Sequence, residues 1–125
     1  LRDVYKRQLM IYELRELTFT EAALKDAFRW YQVAPNQKDL PHGVIASVKP
    51  QPGGGVVVML QQAGASKMRE VAFPSARVLM VLLYFCRKQK IPIPRESEKT
   101  LSADEAGVIL TIGYQFRSTG PGAQV

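Results

Sequence analysis

Basic side chains are concentrated in one segment of the chain, directly after its most apolar stretch. Residues 87–99 read RKQKIPIPRESEK and contain five basic and two acidic residues. Cations beside a stiff Pro-x-Pro segment could follow a phosphate backbone or an acidic protein surface, through contacts that weaken as salt is added. The residues that we predict to bind such a partner are Arg87, Lys88, Lys90, Arg95 and Lys99.

The same segment also has a structural interpretation. Ile91 and Ile93 would anchor the connection to the core, Pro92 would end the preceding helix, and the charges would keep an apolar helix in solution. This interpretation is the simpler one, because the chain lacks the aromatic signature of RNA-recognition domains and the Cys/His pattern of zinc fingers.

The remaining reactive side chains do not form a recognisable catalytic or metal-binding pattern. His42 is the single histidine and Cys86 the single cysteine, too few for the usual four-ligand zinc sites. Cys86 lies in the most apolar stretch, where a thiol is buried and inert rather than nucleophilic. An enzymatic role would need a pocket that places His42 beside Asp39 or another carboxylate. We therefore predict no catalytic residue, no metal and no cofactor, and a protein that is not an enzyme.

Three successive glycines, Gly53 to Gly55, invite comparison with phosphate-binding loops. Such loops open a helix in the pattern G-x-x-x-x-G-K-[ST], or join a strand to a helix as G-x-G-x-x-G. Here a run of valines from Val56 follows the glycines, and valine favours a β-strand. We therefore interpret the three glycines as the turn of a hairpin.

The elements that must position these residues begin with a strand and an amphipathic helix. Residues 10–17 alternate apolar and charged side chains, which predicts a strand with one face in solvent. Thr18 or Thr20 can cap the helix that follows. The helix is expected to end near Val33, because Pro35 disfavours helical geometry in the residue before it. Its apolar stripe consists of Leu24, Ala27, Phe28 and Tyr31.

Glycine and β-branched residues dominate the next part of the chain and indicate antiparallel strands. Residues 44–48 and 56–60 flank a linker of Pro, Gln and Gly, and residues 68–73 follow a second turn. Together these segments predict a three-stranded meander. Residues 99–102 and 108–114 flank a short turn and predict a closing hairpin.

The most apolar helix is expected between the meander and the hairpin. Ser75 is a favoured N-cap, and neither Gly nor Pro occurs after it until Pro92. Residues 78–86 leave no polar face, so this helix should be buried against the sheet and covered on its other side as well. The predicted fold class is α+β: strand, helix, three-stranded meander, helix and hairpin, with an antiparallel sheet packed on this central apolar helix.

Length and composition fit one small domain. The chain has 125 residues, 46% of them hydrophobic, which is enough for a core without metal or disulfide. Residues 1–9 are expected to be a non-native or disordered leader and residues 118–125 a flexible tail, which leaves 10–117 as the domain. The formal charge of +6 falls to +4 without that leader, because it holds three basic residues and one acidic residue.

Hydropathy and cysteine content exclude two further classes. The longest apolar run has nine residues, whereas a membrane-spanning helix needs about 20, so we predict no membrane segment. One cysteine cannot form an internal disulfide, and the cytoplasm is the expected compartment.

These observations predict a small non-enzymatic binding or regulatory protein. It would use the basic helix end and the Pro-x-Pro loop to contact an acidic protein or a nucleic acid. The alternative is a self-associating structural or accessory subunit that forms a homo-oligomer through the apolar helix at 78–86.

Overall fold

The chain forms helices and strands in the segments where the sequence pattern predicts them. The structure is a computed structural model that describes residues 10–117, so the expected leader and tail lie outside the described residues. The order of elements confirms the α+β class and the predicted succession of strand, helix, meander, helix and hairpin. The elements are β1 (Met10–Phe19), α1 (Glu21–Gln32), β2 (Val44–Pro50), a 3₁₀ turn (Pro52–Gly54), β3 (Val56–Gln61), β4 (Arg69–Phe73), α2 (Ser75–Lys88), β5 (Glu98–Asp104) and β6 (Gly107–Arg117).

The strands of residues 10–117 divide between two antiparallel sheets rather than forming the single sheet expected. The first sheet has the order β1-β6-β5 and the second has the order β2-β3-β4. The division arises because β1 pairs with the last strand of the domain, from Met10 opposite Arg117 to Phe19 opposite Val108. The closing hairpin therefore extends the sheet that the first strand begins, and the meander forms a sheet of its own.

Helix α1 follows the predicted pattern closely. Thr20 is its N-cap, and the Thr20 hydroxyl accepts a hydrogen bond from the Ala23 N–H at 3.3 Å, which satisfies one of the free donors at the helix start. Thr18, the other candidate cap, belongs to β1. The helix ends with Val33 as its C-cap, as expected. Its stripe residues Leu24, Ala27 and Phe28 are buried.

Helix α2 is covered on one side only, which corrects the prediction that it is covered on both. Ser75 is its first residue and Pro74 its N-cap, so the predicted serine cap is not formed. The core side consists of Val78, Val81, Leu82 and Cys86. On the other side Met80 is 58% exposed, because the two sheets and α1 occupy only one face of the helix. Neither helix in the described part of the chain is long and apolar enough to cross a membrane.

The core lies where both helices meet the inner faces of the two sheets. Phe28 of α1 is completely buried and packs edge-on against Phe73 of β4, with ring centroids 5.0 Å apart. The first sheet contributes Val108, Leu110 and Ile112 from β6 to the same cluster. One continuous core therefore joins the two sheets and sets the position of the end of α2.

The three glycines form the tip of the β2–β3 hairpin, which confirms their interpretation as a turn. Gly53 and Gly54 have φ values of 88° and 96°, a region that glycine adopts without the steric cost of a Cβ atom. Gly54 is buried against Leu101 of β5. The turn of the second sheet thus packs on an edge strand of the first sheet.

Candidate functional site

The basic segment begins where α2 ends in a left-handed turn. The N–H of Ile91 donates to the carbonyl of Cys86 at 2.8 Å, and the N–H of Lys90 donates to the carbonyl of Arg87 at 3.2 Å. This pair of bonds is the Schellman arrangement, which usually places glycine where Lys90 stands with φ 60°. A residue with a Cβ atom costs roughly 1–2 kcal/mol in that conformation. The turn sends the following residues back along the exposed side of α2.

Two side chains hold the proline carbonyls of the loop formed by residues 91–97. Arg15 of β1 donates from Nη1 to the carbonyl of Pro92 at 2.9 Å. The Ser97 hydroxyl donates to the carbonyl of Pro94 at 2.6 Å. Because prolines lack an N–H donor, these carbonyl contacts are the main polar restraints available to the Pro-x-Pro segment. The loop is therefore a fixed wall beside the helix.

Lys99 restrains the same loop from β5. Its ammonium donates to the carbonyl of Arg95 at 3.1 Å and to the carbonyl of Ser97 at 2.9 Å. Two of the three N–H groups of this ammonium are therefore directed at the chain itself. Of the residues predicted to bind a partner, Lys99 is the one that the fold uses to position the loop.

The helix and the loop enclose a groove of about 620 Å³, which we call the basic groove. Its floor is apolar and its rim carries three cationic side chains, from both the helix end and the loop. No carboxylate belongs to the lining within residues 10–117. The basic groove is lined by Met80, Leu83, Cys86, Arg87, Lys90, Ile91, Pro92, Ile93 and Arg95.

The three rim cations are exposed and lack carboxylate partners in the part of the chain that the structure describes. Arg87, Lys90 and Arg95 form none of the ion pairs found between residues 10 and 117, which lie elsewhere in the fold. Three like charges around one groove raise the local positive potential. The fold thus brings three of the five predicted binding residues to one apolar depression.

Lys88, the remaining predicted binding residue, lies beside the groove rather than in its lining. Its ammonium is 5.4 Å from the centre of the Tyr84 ring, and the Arg87 guanidinium is 5.9 Å from the same ring. Contacts of this kind at an exposed site contribute about 0.5–1 kcal/mol. Two cations therefore lie close to the Tyr84 ring, which leaves less of it free to stack on a base.

Cys86 forms part of the groove wall but is buried, as the sequence predicts. Burial raises the pKa of the Cys86 thiol, and the positive charge of Arg15 opposes that rise. A thiol with a raised pKa remains protonated near neutral pH and is a poor nucleophile. The wall of the groove is consequently apolar in character at this position.

His42 and Asp39 do not come together in the way that an enzymatic role would require. Asp39 accepts a hydrogen bond from the Tyr31 hydroxyl at 2.7 Å and lies 3.6 Å from the Arg77 guanidinium. His42 is exposed and is absent from these contacts. Among residues 10–117, no group of three His, Cys, Asp or Glu side chains is placed to hold a metal ion. The Asp39 carboxylate serves to tie its loop to both helices.

The environment of Tyr31, which includes its contact with Asp39, makes the free energy of unfolding fall in the alkaline pH range. Burial, followed by the hydrogen bond to Asp39 and its negative charge, raises the pKa of Tyr31 from 10.0 to about 12. In the unfolded chain this phenol loses its proton near the ordinary tyrosine pKa. Between that pH and the higher pKa of the folded state, deprotonation therefore stabilises the unfolded state relative to the folded one. We expect the contribution of Tyr31 to stability to be complete below pH 10 and to be lost as pH rises towards 12.

Tyrosinate absorbance at 295 nm, recorded as a difference between wild type and Tyr31→Phe, measures this titration. The difference should show one phenol whose pKa lies well above the ordinary tyrosine value of 10.0. Chemical denaturation between pH 9 and 12 should show a steeper loss of stability in the wild type than in Tyr31→Phe. A difference titration centred at the ordinary tyrosine pKa would contradict the expectation.

The sequence reasoning missed two kinds of groove residue. Met80 and Leu83 lie seven and four positions before Arg87 on α2. This spacing places the three residues on one helix face, so the sequence could have predicted a face that changes from apolar to basic. The role of Arg15 could not be predicted from the sequence, because 77 residues separate it from Pro92, whose carbonyl it binds. Its role depends on β1 lying beside the loop.

Searches against protein-family models, curated proteins and solved structures found no match to this chain.

Proposed function

We propose that this chain is a small non-enzymatic binding protein whose basic groove contacts an acidic segment of another protein. The observation that carries the proposal is the pairing of an apolar floor with three exposed cations, Arg87, Lys90 and Arg95, that have no carboxylate partner within residues 10–117. A partner that offers an apolar side chain to the floor and carboxylates to the rim satisfies both features.

The groove favours a protein segment over a nucleic acid. Single-stranded nucleic acids bind to cationic grooves that also present aromatic side chains for base stacking. The floor of the basic groove consists of aliphatic and thioether groups, chiefly Met80, Leu83 and Ile93. Tyr84 lies outside the lining and already has two cations near its ring. Binding of nucleic acid is therefore the alternative outcome of the test below.

The expected affinity is weak, with a dissociation constant of about millimolar and at best tens of micromolar. Full burial of one apolar side chain contributes about 1.5–3 kcal/mol, and each exposed ion pair contributes about 0.2–1 kcal/mol. The entropy cost of binding is kept low, because the loop is already held by Arg15 and Lys99 and loses little freedom when a partner binds. We propose the cytoplasm as the compartment, since one cysteine leaves no internal disulfide that an oxidising environment would maintain.

The test uses fluorescence anisotropy with four labelled probes across a salt series. The probes are a 12-residue peptide of Glu, Asp and Leu, an all-Glu peptide of the same length, and mixed-sequence single-stranded and double-stranded DNA. We expect the Leu-containing acidic peptide to bind most tightly, because it alone fills the apolar floor. Its affinity should fall as salt rises, since the rim contacts are screened.

Two triple variants with the same change in net charge locate the binding surface. Arg87→Glu/Lys90→Glu/Arg95→Glu reverses the rim, and a matched control reverses three exposed cations outside the groove. The rim variant should bind the Leu-containing peptide about tenfold more weakly or worse, and the control less than twofold. Equal weakening in both variants, or tighter binding of DNA than of peptide, would overturn the proposal. The control variant is Lys38→Glu/Lys67→Glu/Arg69→Glu.

Self-association through the 78–86 segment has less support. Val78, Val81, Leu82 and Cys86 are buried in the core of the same chain, so most of the apolar surface that suggested an oligomer is already covered. Met80 and Leu83 are the residues of the segment that belong to the groove floor. A second copy that docked there would compete with the acidic peptide.

A further inference from the structure

Strand β1 is an edge of the first sheet, and its outer side has no partner within residues 10–117. The strand has ten residues and pairs with β6 on one side only. None of the backbone or side-chain hydrogen bonds found in the described residues reaches its outer edge. Long edge strands without protection are templates for pairing with another strand.

The pairing at the closing hairpin establishes which backbone groups of β1 point outwards. Asp104 and Gly107 are paired across a two-residue turn, and such a closing pair exchanges its hydrogen bonds directly. The backbone N–H and C=O groups of Gly107 and of every second residue of β6 therefore point to β5. Those of the residues in between point to β1. By the register of β1 with β6, the N–H and C=O groups of Tyr12, Leu14 and Glu16 face outwards.

These directions restrict how a second copy can pair with β1 in a symmetric antiparallel dimer. In such a dimer, residues whose backbone N–H and C=O groups face outwards must lie opposite each other, so that these groups can form hydrogen bonds. The two-fold axis then passes through a residue and not between two residues. In the central part of the strand that residue is Glu13, Leu14 or Arg15. An axis at Glu13 places two glutamates opposite each other, and an axis at Arg15 places two arginines opposite each other. Like charges directly opposite in a sheet are unfavourable.

The axis at Leu14 is favourable for every charged pair. It places Glu13 of each copy opposite Arg15 of the other, which forms two ion pairs across the junction. Arg15 uses Nη1 for the carbonyl of Pro92. Its other guanidinium N–H groups have no hydrogen-bond partner within residues 10–117 and can meet the second copy. Charge complementarity within one strand thus favours Leu14 among the three central registers.

The same register covers apolar side chains that the single chain leaves in solvent. Leu14 is 75% exposed, and it would contact Leu14 of the second copy on the outer face of the sheet. Ile11 is 56% exposed, and it would lie opposite Leu17 of the second copy, which is partly buried against the core. Exposed apolar side chains on an open edge are typical of an interaction surface.

We propose that two copies of this chain pair through their β1 strands, antiparallel and centred on Leu14, to form one continuous six-stranded sheet. The occupant of the edge is therefore a second copy of this chain. The edge is separate from the lining of the basic groove, none of which comes from β1. Arg15 is the one residue used in both places, since it also holds the Pro92 carbonyl, so the variants at Glu13 and Leu14 test the dimer with that contact in place.

Sedimentation equilibrium of the full chain from 1 to 100 μM tests the assembly. We expect a dimer of twice the 14.0 kDa chain mass. Glu13→Arg and Leu14→Lys should each raise the dissociation constant about tenfold or more, since each places like charges across the junction. Glu70→Arg is the matched control, because Glu70 is exposed on β4 of the other sheet, and it should leave the dimer unchanged.

A mixing experiment tests the register. Arg15→Glu alone should be monomeric, as should Glu13→Arg, but an equimolar mixture of the two should form a heterodimer because their charges again alternate in sign. In addition, Leu14→Cys should cross-link on oxidation, since paired Cα atoms about 5.5 Å apart suit a disulfide, and Glu16→Cys should not. A chain that is monomeric at 100 μM, or a dimer unaffected by Glu13→Arg and Leu14→Lys, would overturn the proposal.

Discussion

Replacement of Phe28 by alanine is expected to lower the free energy of unfolding by about 3–5 kcal/mol. The Phe28 ring has no exposed surface and packs edge-on against Phe73, with Tyr31 also directed at the Phe73 ring. Removal of the ring loses its transfer energy and the aromatic contact, and leaves a cavity between α1 and the second sheet. A domain of this size has a free energy of unfolding of about 5–15 kcal/mol in total, so the substitution removes a large part of its stability.

Urea denaturation followed by circular dichroism measures this loss. The matched control is Trp30→Ala on the same helix, because Trp30 is 41% exposed and its removal opens no comparable cavity. We expect the control to cost less than about 1 kcal/mol beyond the difference in helix propensity. Similar losses for the two variants would mean that Phe28 is not in the core of the folded protein.

Replacement of Gly54 by alanine has the second largest expected effect, a loss of about 2–4 kcal/mol. Gly54 has φ 96°, and a Cβ atom there would lie 2.6 Å from the Cβ of Leu101. Backbone strain and a clash with a neighbouring strand therefore add together. The clash falls where the hairpin of the second sheet packs against β5 of the first, so relief would require the two sheets to separate.

Gly53→Ala is the control that divides this effect into its parts. Gly53 has φ 88°, but a Cβ atom there would meet nothing within 4 Å, so only the backbone cost of roughly 1–2 kcal/mol is expected. Thermal unfolding of both variants measures the difference. If both alanines cost the same, the close approach of the turn to Leu101 contributes nothing to stability.

The sequence alone was sufficient for the secondary structure, because local interactions decide it. The Thr20 cap, the apolar stripe of α1 and the glycine turn each depend on residues within a few positions of one another. The same holds for the α+β class, which follows from the order of those elements. Two predictions were wrong: that Ser75 caps α2, and that α2 is buried on both sides. The second of these depends on which other elements pack against the helix, which the local sequence does not specify.

The basic groove was partly within reach of the sequence. Arg87, Lys90 and Arg95 stand near one another in the chain, and their charge indicated a binding role. Lys99 belongs to the same run, but its ammonium binds the carbonyls of the loop, which no pattern of residue types would reveal. Whether a basic side chain is open to a partner or binds a carbonyl of its own chain depends on which hydrogen-bond acceptors the fold places near it.

Only the tertiary structure decided which surfaces remain open. β1, the first strand, pairs with β6, the last strand of residues 10–117. Closing so long a loop costs entropy that only the tertiary contacts repay, so no local pattern in the sequence specifies this pairing. That pairing leaves the outer edge of β1 free and places Arg15 beside the Pro92 loop. The sequence by itself thus determined the elements and the charge of the candidate site, and long-range packing determined the groove, its fixed wall and the exposed edge.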